Sequence, residues 1–237
     1  FALDLAARTH RVTHVDREIS VRYPLPPFTT DSLLAEASRR LRLAADFTMR
    51  LAQTLFESGL ITYHRTDSTT VSAEGIILAR ETIARWAPEV LPEESAVHFE
   101  DPRAQGAHEG IRPTAEGIEA VEHADPLAST PGAASLLRLI AARFVSSQAT
   151  PTLIANTLIL VDAGGDTLFA RGTLVEDPGH SLFYSEYSFI REKELPSVEV
   201  EESLVPTVWN APRRETSAPR RHTEATLIEK MHRTGIG

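Results

Sequence analysis

Residues 57–69 hold the side chains whose types and spacing best suit chemistry on a phosphodiester. They read Glu-Ser-Gly-Leu-Ile-Thr-Tyr-His-Arg-Thr-Asp-Ser-Thr, so a phenol, a guanidinium and a carboxylate follow one another at every second position. Successive side chains of an extended segment point to opposite faces, which predicts that Tyr63, Arg65 and Asp67 share one face. That face would carry a nucleophile, a cation and an orienting acid.

The phenol in this pattern needs help from its neighbours. A tyrosine hydroxyl has an ordinary pKa of about 10, so at neutral pH it needs a cation that favours the phenolate, or a positioned base. Arg65 can supply the cation, and its planar fork also suits phosphate oxygens during a displacement. Attack by a tyrosine would keep the phosphodiester energy in a covalent link, so a broken strand could be resealed without ATP.

Two segments of the chain resemble the type IA DNA topoisomerase family. Leu-Phe followed by residues 57–69 is similar to the active-site tyrosine segment of that family, and most similar to the topoisomerase module of reverse gyrase. Residues 106–114, Gly-Ala-His-Glu-Gly-Ile-Arg-Pro-Thr, resemble the family's Ala-His-Glu-Ala-Ile-Arg-Pro-Thr motif. Gly110 stands where the family usually has alanine, which predicts a looser backbone around His108. A weaker likeness covers residues 223–237.

The resemblance implies a function and a set of site residues. The implied reaction is transient cleavage of single-stranded DNA through a 5′-phosphotyrosyl link, followed by strand passage and religation. The catalytic residues would be Tyr63 and Arg65. Asp67 would orient Arg65 or His108, while His108 and Arg112 would hold backbone phosphate near the break.

The resemblance also implies parts that these residues do not supply. Mg²⁺ would be bound outside this chain, which itself would carry no metal ligand, and ATP would be needed only in a reverse gyrase. The chain is therefore expected to be a fragment or split piece of a larger enzyme, inactive by itself. Its expected partners are single-stranded DNA and the missing metal-binding and helicase-like portions.

The hydrophobic pattern predicts an α+β fold in which a helical block interrupts two β segments. Strand-like alternation at 12–23 is ended by the prolines of 24–27. Helical spacing follows behind a Thr30 cap and stops at Gly59. The other predicted elements are a helix after Ser72, a helix at 135–147, strands on both sides of a hairpin turn at 163–166, strands at 181–190 and 198–209, and a helix at 223–234.

The resemblance also implies how these elements are divided into domains. Residues 1–27 and 151–210 are expected to form the two parts of a β-rich arch, the gate of the family. Residues 28–150 are expected to form the mostly helical domain that carries the tyrosine, and 211–237 to begin a further, truncated domain.

The composition limits how the chain could contact DNA and where it works. With 24 basic and 33 acidic residues the net charge is −9, which argues against a surface that grips nucleic acid everywhere and favours local contacts. The absence of cysteine excludes disulfides and thiolate zinc sites. No apolar run approaches the ~20 residues of a bilayer span and no signal pattern opens the chain, so a cytoplasmic protein without membrane partners is expected.

Each candidate residue also has an ordinary structural explanation. A tyrosine beside an arginine is usually a packing pair, and Asp67 before Ser68 and Thr69 could simply cap a turn. The joint occurrence of two segments of one family favours the catalytic interpretation. A tyrosine recombinase is disfavoured, since its tyrosine follows a His-x-x-Arg pattern, whereas Tyr63 precedes a His-x-x-x-Arg. A non-catalytic DNA gate module, which needs the missing acidic domain for any chemistry, stays open as the alternative.

Overall fold

The computed structural model describes residues 4–5, 7–96, 108–123, 130–187, 190–210 and 212–236. It divides the chain into two compact units. The first comprises residues 1–22, 152–178 and 190–220, and the second comprises 23–151, 179–189 and 221–237. The first is built on a sheet and the second is mostly helical, so the fold is α+β as predicted. None of the described helices is long and apolar enough to cross a membrane.

The sheet of the first unit is antiparallel throughout. Its strands are β1 (His10–Arg22), β2 (Thr152–Asp162), β3 (Thr167–Asp177) and β4 (Ser203–Leu204), in the spatial order β3-β2-β1-β4. Val12, Ile159 and Val161 form the centre of its small buried core.

The predicted hairpin between β2 and β3 is confirmed. Gly164 and Gly165 have φ of 67° and 98°, a region that glycine enters without strain. Their N–H groups donate to the carboxylate of Asp162, at 3.3 and 3.0 Å. The turn is therefore fixed by residues that are adjacent in the sequence.

The helical unit contains seven helices among the residues described. They are α1 (Thr30–Leu41), α2 (Ala45–Glu57), α3 (Ala73–Trp86), α4 (Ala115–His123), α5 (Ala133–Ser147), α6 (Ser181–Tyr184) and α7 (Glu224–Thr234), with a 3₁₀ turn at Pro88–Val90 after α3.

Local end signals set most of these boundaries. Thr29, and not the predicted Thr30, is the N-cap of α1, because its hydroxyl accepts from the N–H of Ser32 in a capping box. Ser72 caps α3 as predicted by accepting from the N–H of Gly75. Gly59 follows the end of α2 with φ of 72°, and Gly235 ends α7 with φ of 69°.

Helix α5 organises the core of the helical unit. One buried cluster surrounds Leu136 and Ile140 and includes Phe28 and Ile111, while a second surrounds Phe144 and includes Ile118. Because one helix takes part in both clusters, α5 holds the chain before and after the tyrosine against a common support.

The strands predicted at 181–190 and 198–209 are largely wrong where the structure describes them; residues 188–189 of the first lie outside the described residues. Residues 181–184 form the short helix α6, and only Ser203–Leu204 pair as a strand in the second range. Tyr184 of α6 is buried and its hydroxyl donates to Glu36 at 3.3 Å. Packing against the helical core therefore overrides the β propensity of this segment. Helix α4 was not predicted from the sequence.

The unit boundaries differ from the predicted domains in several places, since residues 23–27 fall in the helical unit and 211–220 in the sheet unit. Residues 179–189 belong to the helical unit and not to the sheet unit, since His180 donates its N–H to the carbonyl of Thr150 at 2.7 Å. Residues 221–237 also cluster with the helical unit, because α7 packs on α1.

The start of α4 lies against the backbone just before Tyr63. A Cβ at Gly117 would come within 2.0 Å of the carbonyl oxygen of Leu60. The absence of a side chain at Gly117 therefore permits this close packing.

Gly117→Ala is expected to lower the free energy of unfolding of the helical unit by about 1–3 kcal/mol, because the methyl group must push two backbone segments apart. Denaturant unfolding followed by circular dichroism measures this loss. Glu119→Ala, an exposed change on the same helix, serves as the control and should stay within about 0.5 kcal/mol of the parent. Equal stability of the two variants would contradict the predicted clash.

Candidate active site

Backbone hydrogen bonds join the two segments that resemble the family motifs. Residues 57–69 are called the tyrosine segment, and residues 106–114, described from His108 onward, the histidine segment. Ile61 and Pro113 form an antiparallel bridge. The N–H of Thr62 donates to the carbonyl of Arg112 at 2.9 Å, on one side of this bridge. Tyr63 therefore directly follows a stretch of backbone that is hydrogen-bonded to the histidine segment.

The hydroxyl of Thr62 adds a second connection between the segments. It donates to the carbonyl of Gly110 at 3.0 Å and accepts from the N–H of Arg112 at 3.0 Å. One side chain thus satisfies both a donor and an acceptor of the opposite segment, which fixes their relative register.

The other flank of Tyr63 is held by the start of α1. The hydroxyl of Thr30 donates to the carbonyl of His64 at 2.9 Å and accepts from the N–H of Thr66 at 3.0 Å. The N–H of Thr30 donates to the carbonyl of Thr66 at 2.9 Å. Sequence analysis missed this role of Thr30, for which no local signal exists.

The tyrosine segment alternates in burial much as the sequence predicted, although it is not part of a strand. Arg65 and Asp67 are exposed and Tyr63 is half-buried, whereas His64 and Thr66 are buried. The three predicted chemical groups therefore lie on the accessible side of the segment, while its inner side holds the backbone in place.

Three aromatic rings surround Tyr63. Its ring centroid lies 5.1 Å from that of His108, 5.3 Å from that of Phe56 and 5.5 Å from that of His64. Tyr63 and His108 are distant in sequence, so the paired backbone brings them together. The exposed imidazole of His108 lies beside the phenol, where it can donate to or accept from a group bound there.

Arg112 is buried and paired with a carboxylate, unlike an arginine that is open to bind phosphate. It is 5% exposed and pairs with Glu109 through both forks, with Nε–Oε2 of 2.8 Å and Nη2–Oε1 of 2.9 Å. Its Nη1 donates to the carbonyl of Pro113, and its Nη2 to the hydroxyl of Ser72. In this arrangement Arg112 braces the histidine segment against the start of α3, and its predicted phosphate-binding role stays a prediction.

Glu109 is held charged by the same contacts. Burial acts to raise the pKa of Glu109, but hydrogen bonds from Arg112 and from the N–H of Ser72 outweigh it and lower the pKa. The carboxylate thus connects the histidine segment to the N-terminus of α3, where negative charge is favoured.

The glycine at position 110 does not loosen this backbone, contrary to the expectation. Its N–H donates to the carbonyl of Thr70 at 2.9 Å, and its carbonyl accepts from Thr62. A Cβ at Gly110 would lie 3.0 Å from the Cβ of Pro27. Hydrogen bonding and close packing therefore hold the backbone that leads to His108.

His64 is buried beside Tyr63 in an unusual state. It is 1% exposed, and neither ring nitrogen has a hydrogen-bond partner within the part of the chain that the structure describes. Burial first, and then the nearby Arg65 guanidinium, lower the pKa of His64, although Glu57 acts in the opposite direction. The imidazole next to the phenol is therefore kept neutral.

The described residues contain no group of three or more His, Asp or Glu side chains placed to hold a metal ion.

Thr62→Val is expected to destabilise the joint between the two segments by about 1–3 kcal/mol, because it leaves a buried N–H and a buried carbonyl without partners. The amide of Arg112 should then exchange its hydrogen faster, which hydrogen–deuterium exchange measures. Thr54→Val on α2 is the matched control, since that hydroxyl is exposed and bonds only to its own helix. Unchanged exchange at Arg112 in Thr62→Val would refute the proposed joint.

The stability of the chain should fall with acidification because of His64. Folding favours the neutral ring, so the unfolded state binds an extra proton between the lowered pKa and the ordinary value of 6.5. In that window His64 changes the free energy of unfolding by up to about 1.4 kcal/mol per pH unit. Its stabilising contribution is fully present above pH 6.5 and is lost as the pH falls. His64→Phe should remove this part of the slope, as measured by unfolding at several pH values. An identical slope in both proteins would count against the buried neutral state.

Comparison with known proteins finds relatives along nearly the whole chain. A family model described as DNA topoisomerase matches residues 2–237. DNA topoisomerase 1 of Vibrio cholerae is 37% identical over 220 residues, which are 90% of this chain and 24% of that protein. Reverse gyrase of Pyrobaculum aerophilum is 36% identical over 247 residues, 99% of this chain and 19% of that protein. These nearly equal identities do not separate the two branches, and the chain spans about a quarter of the length of the DNA topoisomerase 1 relatives.

The fold agrees as well. The structure of full-length topoisomerase I from Thermotoga maritima superimposes with a TM-score of 0.80 at 28% identity, covering 98% of this chain and 39% of that one. A match along nearly the whole sequence and a match in structure thus point to the same group of proteins. The chain belongs to the type IA DNA topoisomerase family.

Proposed function

We propose that this chain is the tyrosine-bearing and strand-gate portion of a type IA DNA topoisomerase, and that Tyr63 is its nucleophile. The observation that carries the proposal is the meeting of Tyr63 and His108, at 5.1 Å between ring centroids, through the backbone pairing of two segments that are far apart in sequence. A packing pair would not require either residue to stay accessible. Tyr63 is half-buried and His108 exposed, so a strand can reach both.

The proposed reaction is a reversible transesterification. The phenolic oxygen of Tyr63 attacks the phosphorus, the new Oη–P bond forms and the P–O3′ bond breaks. The phenolic proton leaves and the released 3′ oxygen takes up a proton, so the products are a 5′-phosphotyrosyl end and a free 3′ hydroxyl. Religation is the reverse, and no energy source is needed because one phosphoester replaces another.

The accessible side chains support this chemistry. Arg65 would place its fork on the phosphate oxygens, where charge builds up during the displacement. His108 would hold the phosphate beside the phenol, and Asp67 on the same accessible side would orient Arg65 or His108. Arg112 would assist His108 through Glu109, with which it forms the bidentate pair.

The sheet unit is proposed as part of the gate through which a second strand passes. In the complete enzyme the partners would be single-stranded DNA, the metal-binding portion with its Mg²⁺, and, in a reverse gyrase, an ATP-driven portion. The similarity of the sequence at residues 55–69 to reverse gyrase still favours that branch as a prediction. The alternative, a DNA-binding gate module without chemistry of its own, predicts strand binding without any covalent product.

Tyr63→Phe is expected to abolish the covalent protein–DNA adduct in the complete enzyme, because it keeps the ring between its aromatic neighbours and removes only the oxygen. The substrate is a single-stranded oligonucleotide that is labelled on the side of the break that keeps the 5′ phosphate. The reaction is denatured in detergent and resolved on a gel, where the labelled adduct is measured. Tyr23→Phe is the matched control, since Tyr23 is 72% exposed and lies outside the site. An undiminished adduct in Tyr63→Phe would exclude Tyr63 as the nucleophile.

A further inference from the structure

A cavity of about 250 Å³ lies in the helical unit between α1 and α7. Its apolar wall is formed by Leu25, Ala35 and Ile228, and its polar wall includes Arg143 of α5. The volume is just below the range of about 300–1,000 Å³ that is usual for drug-sized ligands, so it suits one planar ring system. The proposed cleavage chemistry uses none of these residues.

Arg143 lacks a hydrogen-bond acceptor although it is almost fully buried. It is 8% exposed, and its Nε has no partner within the residues that the structure describes. Its guanidinium stacks on the rings of Phe28 and Tyr184, at 4.5 and 5.0 Å. The rings stabilise the charge but accept no N–H bonds in the plane of the fork, and a buried donor without an acceptor costs about 1–3 kcal/mol.

The nearest carboxylate is already engaged elsewhere. Glu36 forms ion pairs with Arg39 and, at 2.9 Å, with Arg40, and it accepts from the hydroxyl of Tyr184. Burial lowers the pKa of Arg143, although Tyr184 and Glu36 act in the opposite direction. Arg143 thus lines the cavity as a buried cation without an ion-pair partner among the residues described, and the terminal Nη groups of its fork are the donors that a ligand in the cavity could reach.

The other charges of the wall are paired across the cavity. Asp31 accepts from Nδ1 of His232 at 3.2 Å, and Glu229 pairs with Arg39. Each of these carboxylates still has lone pairs to accept further hydrogen bonds.

This charge balance determines the kind of ligand. Two arginines and three carboxylates line the cavity, with His232 as the sixth titratable group, so the wall carries almost no net charge. A phosphate dianion would meet three carboxylates and is disfavoured. A neutral planar ring with acceptors for Arg143, donors for a carboxylate and two apolar faces for the aliphatic wall is favoured.

We propose that this cavity binds one unpaired nucleobase of a single DNA strand, with the fork of Arg143 donating to acceptors on the edge of the base. Guanine fits best, because O6 and N7 match an arginine fork while its amino group can donate to a carboxylate. This inference rests on the proposed handling of single strands, and it adds a base-binding site apart from Tyr63.

Ligand-observed NMR with the chain tests the site, using deoxyguanosine, thymidine and 2-deoxyribose 5-phosphate as probes. Deoxyguanosine should bind, thymidine should bind more weakly, and the base-free sugar phosphate should show no saturable binding. Equal binding of the sugar phosphate would overturn the proposal in favour of an oxyanion site. No saturable binding of deoxyguanosine at millimolar concentration would overturn it as well.

Two variants and a control identify the residues. Arg143→Met should weaken deoxyguanosine binding at least tenfold, while Arg138→Met, an exposed arginine of the same helix, should leave it unchanged. Since Arg143→Met could disturb the core, Ile228→Trp provides an independent test, because it fills the cavity from its half-buried side. Undiminished binding in Ile228→Trp, or equal binding in the two arginine variants, would refute the assignment.

The test separates this inference from the proposed reaction. Tyr63→Phe should leave deoxyguanosine binding unchanged while it removes the covalent adduct. Nucleoside binding without any adduct in the parent enzyme would overturn only the proposed chemistry. An intact adduct in an enzyme whose cavity binds no nucleoside would overturn only the base-binding site.

Discussion

The pairing of the tyrosine segment with the histidine segment is the interaction on which the rest of the site depends. The bridge between Ile61 and Pro113 fixes the register, and the hydroxyl of Thr62 satisfies the two backbone groups that would otherwise be left open. Without this joint Tyr63 and His108 would belong to two unrelated loops. With it, the proposed nucleophile and the proposed phosphate-binding group face the same accessible side of the helical unit.

The buried polar groups around the joint are hydrogen-bonded to one another and support it. The bidentate pair of Arg112 and Glu109 satisfies a cation and an anion that would each be costly to bury alone, and it connects the joint to the cap of α3. Two adjustments of packing make this possible. The missing side chain of Gly117 admits the carbonyl of Leu60, and that of Gly75 admits Arg112. The backbone behind the accessible residues is therefore closely packed and hydrogen-bonded.

His64 and Arg143 are among the buried polar residues that are not satisfied in this way, and both lie near proposed ligands. His64 carries two unpaired ring nitrogens beside Tyr63, and Arg143 carries an unpaired Nε beside the cavity between α1 and α7. Unpaired buried groups are costly and rare in folded proteins. In His64, burial lowers the pKa and disfavours protonation, so the ring beside the phenol stays uncharged. In Arg143 the charge remains and is stacked on the rings of Phe28 and Tyr184.

The sequence by itself determined the features that depend on neighbours along the chain. The serine and threonine caps, the glycines after α2 and α7, the Gly-Gly hairpin and the alternation around Tyr63 involve groups within a few residues of each other, and the types and order of the chemical residues could be read directly. The tertiary structure alone decided which distant groups meet. Burial of Tyr184 made a helix of a segment that looked like a strand, and the bridge between Ile61 and Pro113 brought Tyr63 beside His108. Both outcomes depend on contacts between residues far apart in sequence, whose energies exceed local propensity and leave no trace in the local pattern.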